Sequence, residues 1–137
     1  MQTQPSARSG RGLLYAPGMV DDRVAAAVYE HVRAFSKGDL PALMAGLADD
    51  TVWITGRTTV RGRAELEPFF REAIAGLHPT LVVESLLVDR DRAACQMTET
   101  LVWDGAERSF AIAAFFTLRD GLIVTAKVYR EGTAELD

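Results

Sequence analysis

The sequence predicts a cone-shaped α+β domain: three N-terminal helices packed on the concave face of a strongly curved, mostly antiparallel sheet, with a pocket inside. Three observations carry this. Apolar residues recur at helical spacing only in the first half of the chain. The second half is four runs rich in β-branched and aromatic residues, separated by Asp89-Arg90-Asp91, Asp104-Gly105 and Asp120-Gly121, which are hairpin signals. The rest is punctuation: Gly38-Asp39-Leu40, Leu47-Ala48-Asp49-Asp50, Val60-Arg61-Gly62-Arg63-Ala64-Glu65-Leu66 and Phe116-Thr117-Leu118-Arg119-Asp120-Gly121.

Residues 1–20 carry no periodic pattern and read as a flexible arm before a single domain over 21–137. The first helix starts at Asp21 or Asp22 and stops at Lys37, where Gly38 supplies a left-handed end. Val24, Val28, His31, Val32 and Phe35 form its apolar stripe. Asp39 caps a second helix, with Pro41 in its first turn and Leu40, Leu43, Met44 and Leu47 as its buried face. Extended pieces over 51–55 and 58–61 meet through Gly56. A third helix covers about 64–75 and closes at Gly76; Pro68 should delay its start or bend it. Strands over 81–88, 93–103, 108–118 and 122–130 then make an antiparallel meander.

Composition narrows the functions. Net charge is −4, from 15 Lys+Arg against 19 Asp+Glu, and no basic run forms a stripe, which argues against a nucleic-acid partner. No apolar stretch is long enough to span a bilayer, so no membrane partner is expected. Cys95 is the sole cysteine, without His or Cys neighbours at metal spacing. That fits a cytoplasmic protein with no metal site.

Both sheet faces look apolar. In the third long run Phe110, Ile112, Ala114, Phe116 and Leu118 share one face, and Ala111, Ala113 and Phe115 the other. In the second, Thr98, Thr100 and Val102 are assigned inward, with Met97, Leu101 and Trp103 outward. An apolar outer face needs a cover, and a homodimer joined sheet against sheet is the simplest one. Glu99 and Lys127 would flank Ala111 or Ala113 there, as a bridging pair or as two separately solvated charges. A one-residue change of register would instead turn Glu99 into the cavity, as a base beside His31.

The punctuation marks, in this order and spacing, closely resemble the nuclear transport factor 2-like superfamily over residues 22–131, and within it the SnoaL-like bacterial branch. That group contains ketosteroid isomerases, limonene-epoxide hydrolases and polyketide cyclases. The resemblance implies a cofactor-independent pocket protein for a small hydrophobic molecule, as an isomerase, dehydratase or cyclase. Carried over position by position, the isomerase oxyanion-donor tyrosine falls on His31, its general base on Thr55 and its second donor on Ala114. The epoxide hydrolase tyrosine and asparagine fall on Trp53 and Thr55, its arginine and aspartate near Thr100 and Val102, and its last-strand aspartate on Val128. Without carboxylates at those positions, epoxide hydrolysis loses its base and its acid.

His31 is the one titratable side chain among these matches. It reads either as a general acid/base with a pKa near working pH, or as a core histidine satisfied by a neighbouring oxygen. Tyr29, Trp53, Thr55, Thr98, Thr100, Val102, Ala114, Phe116 and Val128 complete the expected pocket, with no metal and no organic cofactor. Two other readings stay open: a non-catalytic receptor for an apolar ligand, and a dimerisation module.

Overall fold

Local signals in the first half place most element boundaries in the computed structural model, which describes residues 18–132. Helix α1 (Gly18–Lys37) ends at Gly38, whose φ of +68° suits a residue without Cβ; the Gly38 N–H donates to the Phe35 carbonyl at 3.2 Å. It begins three residues before the expected Asp21, inside the segment assigned to the arm. The rest of that segment, residues 1–17, lies outside the described residues. Asp39 caps α2 (Leu40–Ala45) by accepting the Ala42 N–H at 3.2 Å. Leu47, expected on the helix face, instead opens β1 (Leu47–Thr55), buried and paired with Ile123.

After β2 (Thr58–Arg61), Gly62 turns the chain at φ +78° into α3 (Gly62–Leu77). The Arg-Gly-Arg mark has a structural purpose. Arg63 Nη1 donates to the carbonyls of Met44 (2.5 Å), in the last turn of α2, and Leu47 (2.9 Å), the first residue of β1, and so ties the start of α3 to the α2–β1 junction. Helix α3 starts earlier than expected and runs through Pro68. Its end is also later: His78, not Gly76, takes the left-handed position at φ 46° and donates its N–H to the Ile74 carbonyl at 3.1 Å.

The remaining strands are β3 (Thr80–Asp89), β4 (Arg92–Trp103), β5 (Ala106–Arg119) and β6 (Leu122–Arg130). The sheet order is β2-β1-β6-β5-β4-β3, antiparallel throughout except where β1 runs parallel to β6. The fold is α+β, with three helices and a 6-stranded, mostly antiparallel sheet.

Asp104-Gly105 and Asp120-Gly121 both have positive φ at each central residue, the turn whose twist matches the strands it joins. The first turn sets Trp103 opposite Ala106, and so Glu99 opposite Phe110 and Thr98 opposite Ala111. Directly opposed residues share a sheet face. The expected faces of β4 are therefore inverted. Ala93, Cys95, Met97, Glu99 and Leu101 are buried, whereas Thr98, Thr100 and Val102 point to the outer side. Trp103 belongs to the inner alternation. Lys127, opposite Phe115, stays on the outer face, its ammonium 5.3 Å from the Tyr129 ring centroid rather than beside Glu99.

The core joins Val24, Val28 and Val32 of α1, Leu43 and Met44 of α2, and Leu66 and Phe70 of α3 to Met97, Ile112, Ala114, Phe116 and Ala126 of the sheet. The opposite face leaves Val82, Leu87, Phe115 and Tyr129 exposed.

Candidate functional site

Strand alternation and the α1 stripe aim a ring of side chains at one space. Strand β1 contributes Trp53 and Thr55, β5 contributes Ile112, Ala114 and Phe116, and β6 contributes Val128 and Arg130. Met97 and Glu99 enter from β4, His31 and Phe35 from α1, and Phe69 and Phe70 from α3. They enclose a cavity of about 310 Å³.

His31 lies among aromatic rings. Its centroid is 5.2 Å from Trp53, 5.7 Å from Phe116 edge-on and 6.3 Å from Phe35, nearly parallel. The residue is 7% exposed, and its buried Nδ1 has no hydrogen-bond partner among the described residues. Removal from water disfavours the imidazolium and pushes its pKa from 6.5 down to about 4. The expected value near working pH is thus corrected: at neutral pH the ring is uncharged.

Across β5 from β6 to β4 runs an ion pair. Arg130 Nη2 donates to Glu99 Oε1 at 2.6 Å, with side chains 12% and 7% exposed. The guanidinium carbon also lies 5.7 Å from the Phe110 ring centroid. Glu99 Oε2 accepts no hydrogen bond from the described residues. The outward assignment of Glu99 is thus corrected: as in the alternative register, it enters the cavity, with an arginine beside it.

Of the residues expected in the pocket, His31, Trp53, Thr55, Ala114, Phe116 and Val128 lie on its wall. Four do not. Tyr29 is off the α1 stripe and half exposed. Thr98 donates to Glu84 Oε2 at 2.9 Å, and Thr100 shares a hydrogen bond with Ser109 at 2.9 Å, both on the outer face. Val102 follows the same alternation outward. Cys95 faces the core, where burial pushes its thiol up to about 11 and keeps it protonated. Among the described residues no His, Cys, Asp and Glu side chains converge as a metal-ligand group, and no helix is long and apolar enough to cross a membrane.

Residues 28–126 match the family model described as the SnoaL-like domain. The chain belongs to the SnoaL-like domain family. No curated protein matches this SnoaL-like chain in sequence. Solved structures do match its fold. An epoxide hydrolase of limonene-epoxide hydrolase type from M. tuberculosis superposes with a TM-score of 0.74 at 20% identity, covering 80% of this chain and 84% of that one. A candidate polyketide cyclase from Xanthomonas campestris gives 0.73 at 22% identity, covering 79% and 90%. A candidate ketosteroid isomerase from Kribbella flavida gives 0.73 at 22%, covering 87% and 86%. At these identities the similarity establishes the shared SnoaL-like fold, and chemistry has to be argued from the cavity itself.

Proposed function

We propose that this SnoaL-like chain acts without cofactor on a small hydrophobic molecule, as an isomerase, dehydratase or cyclase. The observation that carries the reading is that one aromatic cavity is lined both by His31, whose buried Nδ1 has no hydrogen-bond partner among the described residues, and by the Glu99 carboxylate held by Arg130. A buried polar group left unsatisfied costs about 1–3 kcal/mol, which a ligand presenting a complementary group offsets. The division of labour follows from charge. An uncharged His31 serves as hydrogen-bond donor to a substrate carbonyl, and Glu99 Oε2 takes a proton from the adjacent carbon. Return of that proton to another atom of the substrate is isomerisation. Its loss together with a hydroxyl is dehydration, and attack of the resulting carbanion on a second carbonyl is ring closure. Trp53 and Phe116 pack the apolar body.

The second reading is a receptor without turnover, favoured by the neutral Thr55, Ala114 and Val128 on the wall. In either case we read the exposed Val82, Leu87, Phe115 and Tyr129 as the contact face of a homodimer. The lone buried Cys95 agrees with the cytoplasm as its compartment.

The test is solvent deuterium exchange at the acidic carbon of 1-phenyl-1,3-butanedione, an enolisable diketone, followed by NMR. The enzyme reading expects exchange faster than in buffer, lost in Glu99→Gln and weakened in His31→Ala while the diketone still binds. Binding without accelerated exchange selects the receptor. Absence of binding refutes both.

A further inference from the structure

The strand register divides the inner sheet face into rows of directly opposed residues, and each row crosses several strands on one face. One row runs Thr55, Val128, Ala114 and Cys95 across β1, β6, β5 and β4. All four side chains are small. The row on one side of it, Trp53, Ala126, Phe116 and Ala93, carries two large rings that line the cavity. The row on the other side, Arg130, Ile112 and Met97, carries long side chains that also line it. Residues two apart on a strand are separated by about 6.7 Å, and neighbouring strands by about 4.8 Å. The small row is therefore a trough between two ridges. It spans about 10 Å from Thr55 to Ala114, and Cys95, buried in the core, closes its far end.

Ala114 is the smallest side chain of this row. It is 1% exposed yet lines the cavity, so its methyl group is part of the trough floor. Phe69, Ala73 and Leu77, four residues apart on one face of α3, close the space from the helix layer. The cavity of about 310 Å³ is about twice the ~150 Å³ of an engineered apolar cavity that holds one benzene. It has room for two rings. The polar groups flank the trough: His31 packs on Trp53 and Phe116 of one ridge, and Arg130 of the other ridge holds Glu99. A molecule laid along the trough lies between them.

We propose that the trough of Thr55, Val128 and Ala114 selects a ligand of two fused rings laid across the strands, and that Ala114 is the residue that sets this size. This rests on the reading that the cavity is a ligand site. A one-ring molecule leaves about half of the hollow unfilled and removes less apolar surface from water. A phenyl group at position 114 takes about the room of the benzene that fills a ~150 Å³ cavity, and so leaves space for one ring. Ala113, one step along β5, points to the outer face, where the same side chain leaves the hollow unchanged.

The experiment compares two methyl ketones, acetophenone with one ring and 2-acetylnaphthalene with two, by the shift of the Trp53 indole resonance on titration. The unmodified protein should bind 2-acetylnaphthalene at least about tenfold more tightly than acetophenone. Ala114→Phe should weaken the two-ring ketone at least about tenfold and change acetophenone by less than about threefold, which cancels the preference. Ala113→Phe should leave both affinities within about twofold of the unmodified protein. Thermal melts with and without each ketone accompany the titrations, because a ligand that binds only the folded state raises the melting temperature. Should Ala114→Phe fail to fold, Ala114→Val, a residue suited to a strand, takes its place and should reduce the preference at least about threefold. Acetophenone bound as tightly as the larger ketone by the unmodified protein overturns the proposal. So does a preference that survives substitution at position 114, or one lost equally in Ala113→Phe; each leaves the ligand site standing. No binding of either ketone by any form overturns both the trough and the ligand site.

Discussion

His31→Gln should flatten the acid side of the stability profile. The imidazole is buried among Phe35, Trp53 and Phe116, and burial pushes its pKa from 6.5 down to about 4. The folded state therefore binds fewer protons than the unfolded chain between these two values. Stability must then rise with pH across that window and fall as the solution is acidified through it. The slope approaches about 1.36 kcal/mol per pH unit once the unfolded histidine is charged and the folded one is not. Lowering the pH from 7 to 5 crosses about one and a half units of the window, so His31 alone should remove about 2 kcal/mol. Glutamine keeps a polar side chain of similar length and cannot titrate. Urea unfolding at pH 7, 6 and 5 measures both proteins, and the exposed His78, present in each, cancels in the difference. The unmodified protein should lose about 2 kcal/mol more than the variant over this range. Parallel profiles would mean that the ring is hydrated or partnered when folded, and the argument for its neutrality would fail.

Other substitutions test other joints of the structure. Phe70 is buried and meets Trp53 and Phe35 edge-on at 5.0 and 6.1 Å, so Phe70→Ala should cost about 3–5 kcal/mol in urea unfolding; a cost under about 1 kcal/mol would show a loose core. Arg63→Met strips the carbonyls of Met44 in α2 and Leu47 in β1 of their charged donor, and a loss of about 1–3 kcal/mol is expected, partly recovered by Arg63→Lys. Phe115→Glu should convert a dimer into a monomer in sedimentation, and an unmodified protein that is already monomeric at micromolar concentration refutes the interface.

The helical half was legible because its signals are local. Gly38 and Asp39 stop one helix and cap the next within two residues, and both act as read. The Asp-Gly hairpins were legible for the same reason. The orientation of β4 was also legible, but only by counting through the turn. A two-residue connection puts Trp103 against Ala106, and four steps back along β4 and forward along β5 bring Glu99 to Phe110, an inward residue. Judging the β4 run by polarity alone turned Thr98 and Thr100 inward and sent Glu99 out. The error arose because a buried carboxylate looks misplaced until its arginine is known, and Arg130 lies on another strand, 31 residues away. The parallel contact of β1 with β6 has no local signature, since no turn joins them. Nor does the His78 cap, where a neighbouring glycine looked the better stop.

A crystal soaked in acetophenone would address the ligand site itself. Density for the ring between Trp53 and Phe116, with the ketone oxygen in hydrogen-bond reach of His31, is the predicted result. A hollow holding only water at saturating ligand, or side chains collapsed to fill it, would contradict a binding role for these residues.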